Sequence, residues 1–418
     1  MSVYRLLDQV AQALRPSEEV FERLQEVLEE INKQLSLRDV RAKAVPGGSV
    51  AKNTFLRASH DVDVFVQFAL SYADKDLSSL LSPCLKHFRA ERVHGSRDYF
   101  LFEYRGYSFE VVPVLAISKP EEARNVTDAS PLHVEYFNER GSGLEDEVRL
   151  AKQFAKAAGV YGAESFIRGF SGHVIDLLII YYGSFYELAR QASRWEEPVV
   201  IDVEEHHKNP LLAIDQAKHA PLILVDPIQP LRNAAAALSK EQFLLFKQRC
   251  ALFVQEPTVH FFKVPVFSQE DLVNELAARE GFAFVLKLVP PGGDKRDVAG
   301  ARVRKFYERL EDELVHAGFR VTSSDWYFLE DEPCIAYYVL AEEELAAVFE
   351  REGPPVSQEV HAQRFREEHG VVDEREGRLY AQVRRDVRTP SELLEVVGEE
   401  LSTQTKVDYS LVDVPRGT

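Results

Sequence analysis

The stretch Ser59-His60-Asp61-Val62-Asp63-Val64-Phe65-Val66 leaves a folding chain little choice. Side chains alternate between the faces of a strand, so Asp61 and Asp63 share one face, roughly 6.6 Å apart along the chain. Val62, Val64 and Val66 share the other and require a core. Two carboxylates side by side repel each other and lose hydration when covered, which is costly unless a cation lies between them. A pair of magnesium ions about 3.5–4 Å apart, bound through oxygen, would balance that charge and support in-line phosphoryl or nucleotidyl transfer. Alone, an Asp-x-Asp at a strand end is more often a solvated edge or a turn.

The flanking sequence favours the metal reading. Gly47-Gly48-Ser49 precedes Val50-Ala51-Lys52-Asn53-Thr54-Phe55-Leu56, a glycine turn opening a short helix whose free amides and serine hydroxyl suit phosphate oxygens. Downstream, Tyr99-Phe100-Leu101-Phe102-Glu103-Tyr104 and Tyr107 to Val114 flank Arg105-Gly106 as the arms of a tight hairpin. The second arm sets Ser108, Glu110 and Val112 on one face, and Glu110 supplies a third acid.

Length and composition bound what surrounds this element. A chain of 418 residues, 45% hydrophobic, holds two to four domains with substantial cores. The net charge of −18 argues against a generic nucleic-acid coat, since the whole molecule repels phosphate, though local basic patches could still bind RNA. Cys84, Cys250 and Cys334 lie far apart in apolar contexts without CxxC spacing, as reduced core thiols of a cytoplasmic protein would. The start of the chain lacks a basic segment followed by an apolar run, so no signal peptide is expected. The apolar stretch Val174 to Phe185 is too short to span a bilayer and carries Asp176, so no membrane association is expected.

Along the chain, Val3 to Leu14 reads as a helix broken at Arg15-Pro16. Ser17 can cap a second helix, with Val20, Leu24, Val27, Leu28 and Ile31 on one face. Asp39 to Val45 reads as a strand and Ser78 to Arg89 as a helix. From residue 137 the character is helical: Glu145 to Ala158 ends at Gly159, and Val174 to Phe185 is apolar almost all round, a buried post. Leu222 to Val225 is a strand, followed by a helix from Ala234 to Leu238. Beyond it come the strand Phe282 to Leu288, the helix Ala299 to Ala317 and the strands Phe319 to Val321 and Cys334 to Leu340. The fold class is α+β and multidomain.

Gly48-Ser49, then Asp61-x-Asp63, then an acid on a later strand resembles the polymerase β-type nucleotidyltransferases. The wording is closer still to the archaeal-type (class I) CCA-adding tRNA nucleotidyltransferases. That likeness rests on Gly48 to Leu56, Ser130-Pro131-Leu132-His133, Tyr161-Gly162-Ala163-Glu164 and Arg168-Gly169-Phe170-Ser171-Gly172. It continues through Tyr182-Gly183-Ser184-Phe185, Asp226-Pro227 and Arg232-Asn233-Ala234-Ala235. It runs from the first helix to about Lys263, and more loosely to the end. The family usually has arginine at Lys52, glutamate at Asp61 and aspartate at Glu110.

The resemblance implies a polymerase β-like catalytic head at 1–136, a helical nucleotide-recognition domain at 137–256 and an αβ tRNA-binding body and tail at 257–418. It implies template-independent addition of C, C and A to the tRNA 3′ end from CTP and ATP, with Mg2+ held by the catalytic acids Asp61, Asp63 and Glu110. Gly48, Ser49, Lys52, Ser130, His133, Lys152, Tyr161, Arg232 and Asn233 would bind nucleotide. Read without it, His133 is a core or surface histidine, Lys152 and Lys156 form a solvated stripe, and Arg232 is a surface side chain. Arg364, Arg366 and Arg384 would contact tRNA, although a solvated helix explains the first two equally well. A homodimer stays open, since the residues are silent on subunit number. Two rivals share the pattern: an adenylate-only, poly(A) polymerase-like enzyme and a catalytically silent RNA-binding scaffold.

Overall fold

In the computed structural model, which describes residues 2–95, 97–329 and 333–415, the chain forms two compact units, Met1–Pro265 and Val266–Thr418. The first unit is built on two cores. One lies under a mixed sheet of β1 (Ala42–Pro46), β2 (Asp61–Phe68), β3 (Glu91–Val93), β4 (Tyr99–Tyr104) and β5 (Tyr107–Leu115), in the order β1-β2-β5-β4-β3. Val62, Val64 and Val66 are fully buried there, against the Val20, Val27 and Ile31 face of a long helix. Only the β2–β5 pair is parallel among the described neighbours in this sheet; the others are antiparallel.

Helix α1 (Val3–Leu14) opens the chain but does not pack on the sheet. Its Leu6, Leu7 and Ala11 join the second core. The long helix α2 (Glu19–Leu37) follows, and α3 (Gly48–Ala51) is a single turn, shorter than the segment to Leu56 expected to be helical. Ser17 does not cap α2: the N-cap is Glu18, without a side-chain hydrogen bond. The segment expected as one helix from Ser78 splits into α4 (Leu77–Leu81) and a 3₁₀ stretch, Ser82–Phe88, because Pro83 cannot donate in a continuing α-helix.

The second core is helical. It is formed by α6 (Glu145–Ala157), α7 (Gly172–Tyr182), α8 (Phe185–Ala192) and α10 (Lys240–Gln255), preceded in the chain by α5 (Ser130–Arg140). Gly183, at φ +78°, ends α7, and Ser184 caps α8, so the expected post to Phe185 is two helices meeting at a glycine. The strands β6 (Val199–Asp202) and β7 (Leu222–Val225) pair in parallel, with the short α9 (Pro210–Ala213) between them. Residues 234–238, expected as a helix, form turns instead, and the helix begins only at Lys240, where Ser239 supplies the cap.

The second unit holds α11 (Gln269–Ala277), β8 (Phe282–Val289), α12 (Arg296–Ala317), β9 (Val321–Tyr327) and β10 (Cys334–Leu340). It continues with β11 (Val348–Pro355), α13 (Glu359–His369), β12 (Val372–Arg375), β13 (Arg378–Arg384), α14 (Pro390–Thr405) and β14 (Asp408–Val412). Its sheets run β14-β8-β10-β9 and β11-β13-β12, antiparallel throughout. Helix α12 buries Val303, Phe306, Leu310 and Leu314 in the core of the first of these sheets. Among the described residues no helix is long and apolar enough to cross a membrane.

Candidate active site

The parallel pairing of β2 with β5 sets Asp61 opposite Ser108 and Asp63 opposite Glu110. Paired residues of neighbouring strands point to the same face, so the three acids emerge from one side of the sheet. Asp63 and Glu110 line a cavity of about 570 Å3, and Gly48 and Lys52 border it. Asp61 is exposed at the start of β2. A Cβ on Gly48, whose φ is +46°, would lie 1.7 Å from Asp63 Oδ2, so only glycine lets the turn come this close to the carboxylate. Burial pushes the Asp63 carboxyl up to about 6; Lys52 opposes the shift and Asp61 adds to it.

Lys52 reaches inward and pairs with the buried Asp176 of α7. Lys152, on α6, approaches the same carboxylate at 3.8 Å and donates to Thr54 Oγ1 at 2.9 Å. It is a buried cation, not part of a solvated stripe, and burial brings its pKa down to about 8 against the pull of Asp176. Lys156, by contrast, lies over the Tyr161 ring. Burial raises the Tyr161 hydroxyl, with Asp176 adding to the effect. Lys152 and Tyr161 therefore stand behind the lysine and acid surface, not in the cavity lining.

The opposite wall presents Ser130 and His133 from α5, His173 from the first turn of α7, and Arg232. Behind them lies Asp226, fully buried at the end of β7. His133 Nε2 sits 3.0 Å from both of its oxygens, Arg232 Nη1 donates at 2.8 Å, and the backbone N–H groups of Ile228 and Gln229 donate at 2.9 and 3.1 Å. Burial alone would raise this carboxyl, but the imidazoles and these bonds hold it well below the usual range.

Asn233 does not face the cavity. Its amide donates to the carbonyls of Lys218 and Leu222 and its oxygen accepts from the N–H groups of Leu224 and Ala235, so every polar group serves the backbone of β7 and the segments flanking it. The structure thus places Asn233, expected to contact the nucleotide, in a buried backbone network and outside the cavity lining. In the second unit Arg364 and Arg366 lie on α13 and Arg384 ends β13; all three are exposed, and among the described residues none makes an ion pair.

Sequence reasoning passed over His173, Asp226 as a buried anchor, and the lysine-binding role of Asp176. A charged residue in an otherwise apolar helix was the available sign for Asp176. Asp226 stood in a family motif without an assigned role and His173 carried no comparable sign; 93 and 53 residues separate Asp226 from His133 and His173, and only the tertiary fold brings them together.

Three family models match the chain: a nucleotidyltransferase domain over residues 25–133, the second domain of tRNA nucleotidyltransferase over 146–263 and the C-terminal domain of the CCA-adding enzyme over 296–413. The CCA-adding enzyme of Methanocaldococcus jannaschii is 30% identical over 92% of this chain and 88% of its own length. That of Methanosarcina barkeri is 30% identical over 87% and 81%. Among solved structures, a cytoplasmic RNA terminal U-transferase superposes over 63% of this chain and 99% of its own with a TM-score of 0.51 at 12% identity, a likeness of fold. The organisation of the chain, the acid-bearing sheet beneath its cavity and the near full-length relatives agree: the chain belongs to the CCA-adding enzyme family.

Proposed function

We propose that this chain adds C, C and then A to the 3′ end of tRNA, using CTP and ATP and no nucleic-acid template. The observation that carries the reading is the β2–β5 register, which sets Glu110 beside Asp63 on the wall facing Arg232. The acids offer only oxygen ligands, and desolvation raises the Asp63 carboxyl to about 6, a penalty a hard cation would offset, so the donor set fits Mg2+. Asp61, Asp63 and Glu110 would hold the metal. When bound, Mg2+ supplies charge neutralisation for in-line displacement of pyrophosphate by the tRNA 3′-hydroxyl.

The remaining residues position the nucleotide. Amides of the Gly48-Ser49 turn and the Ser49 hydroxyl receive phosphate oxygens, and Lys52 exchanges Asp176 for phosphate. Lys152 and Tyr161 support that lysine from behind. Ser130 and His133 contact the triphosphate or sugar. Arg232, anchored on Asp226, faces the base: cytosine N3 and adenine N1 both accept a hydrogen bond, whereas uracil and guanine carry N–H there and are rejected. Residues 1–136 form the catalytic head, 137–256 the recognition domain and 257–418 the tRNA-binding body, with Arg364, Arg366 and Arg384 on phosphates.

The test is incorporation of labelled CMP and AMP into tRNA shortened by one, two or three 3′ nucleotides. CMP addition to the two shorter ends and AMP addition to the end lacking only A, all dependent on Mg2+, is the expected result. Incorporation of AMP alone would reduce the chain to an adenylyltransferase, and none at all with tRNA still bound would make it a silent scaffold.

A further inference from the structure

The carboxylate of Asp226 has more neighbours than it can serve. An ionised carboxylate offers about four acceptor positions. The N–H groups of Ile228 and Gln229 take Oδ1, Arg232 Nη1 takes Oδ2, and His133 Nε2 bridges the two oxygens. His173 is left over: its Nε2 is buried 3.4 Å from Asp226 Oδ2 and makes no hydrogen bond in the structure. A second imidazole aimed at a saturated carboxylate has no use as a hydrogen-bond donor.

It does have a use as a ligand. The ligand atoms of His133, His173 and Asp226 all lie within 4.8 Å of one another, the one such trio found among the described residues. Ligands about 2.0–2.1 Å from a tetrahedral zinc ion are separated by about 3.3 Å, and the two histidine-to-carboxylate separations are 3.0 and 3.4 Å. Each ligand comes from a different, well-packed element: α5, the first turn of α7 and the end of β7. Both imidazoles border the cavity, which gives an ion access and leaves room for water as a fourth ligand.

We infer that His133, His173 and Asp226 form a binding site for a borderline-soft divalent transition metal of the zinc class, separate from the oxygen-only acids across the cavity. Two imidazoles and a carboxylate are a common zinc set and a poor one for Mg2+. An ion there takes Asp226 Oδ2 from Arg232, so zinc also inhibits nucleotide addition; this last step rests on the proposed function, and the binding itself does not.

The experiment titrates the full chain, free of nucleotide, with Co2+ alone while its visible absorption is followed, and then displaces Co2+ with Zn2+. One equivalent with the intense spectrum of a low-coordinate nitrogen-containing site is expected, unchanged by excess Mg2+ and retained in Asp63→Asn. His173→Gln and His133→Gln should each weaken binding by at least ~10-fold, since even outer-shell partners of a metal site contribute that much. A wild-type spectrum of hydrated six-coordinate cobalt, loss of the band on adding Mg2+, or a His173→Gln titration matching wild type would each overturn the site. The first two outcomes need no variant to fold, and none of the three depends on whether the chain adds nucleotides.

Discussion

Asp63, partly buried on the sheet wall, and Asp226, fully buried behind the helical wall, are carboxylates within reach of one cavity, and the protein treats them oppositely. Asp63 has Asp61 beside it, and the pull of Lys52 and Lys152 and a hydrogen bond from the Ser49 backbone do not cancel the cost of desolvation; its carboxyl rises to about 6. Asp226 is saturated by two backbone amides, an arginine and a histidine, and its carboxyl falls. An under-compensated acid gives up stability and gains affinity for a cation. A saturated one contributes rigidity to the side chains that hang from it.

The largest expected effect separates these roles directly. Asp63→Ala should lower the rate of nucleotide incorporation at least ~1000-fold, about 4 kcal/mol of transition-state stabilisation. Its melting temperature without metal should not fall. Asp226→Ala should do the reverse in kind: urea unfolding at neutral pH should show a loss of roughly 3 kcal/mol, because His133 and Arg232 are left beside a void where their counter-charge stood. If Asp63→Ala destabilises the fold as much as Asp226→Ala does, the contrast between the walls is wrong.

The smallest effect tests the sign. The native pKa of Asp63, about 6, lies above its ordinary 3.8, so the native state binds the proton more tightly and wild type loses stability as pH rises between those values. In chelator, Asp63→Asn should therefore be more stable than wild type by at most about 3 kcal/mol above pH 7, with the two converging near pH 4. Adding Mg2+ should stabilise wild type and leave the variant unmoved. Thermal melts across that range, with and without Mg2+, measure both.

The sheet wall was legible because its signal is local. Alternation over Asp61 to Val66 assigns each side chain to a face, and the Arg105-Gly106 hairpin assigns Glu110 its face in the same way. The helical wall was not, because nothing in the neighbourhood of Ser171-Gly172-His173 points to an aspartate 53 residues on. Spacing alone set Lys152 on a solvated stripe, and only the family likeness drew it toward the site: helical spacing shows which face a residue occupies, not what covers that face. The residues after Asn233 failed for a different reason. Four alanines carry high helix propensity, but Asn233 ties the backbone on both sides into turns that a helix would break.

The β2–β5 register also decides how this protein fails under insertion and deletion. Side chains alternate strictly along a strand, so losing a single residue between Tyr107 and Glu110 would turn the acid into the hydrophobic interior and present Phe109 or Val111 to the cavity. No partial version of that error exists. Frame-preserving indels in this strand should be intolerable to folding and activity together, whereas the Gly106 turn beside it, where an added Cβ meets nothing within 4 Å, is a place where extra length can be absorbed.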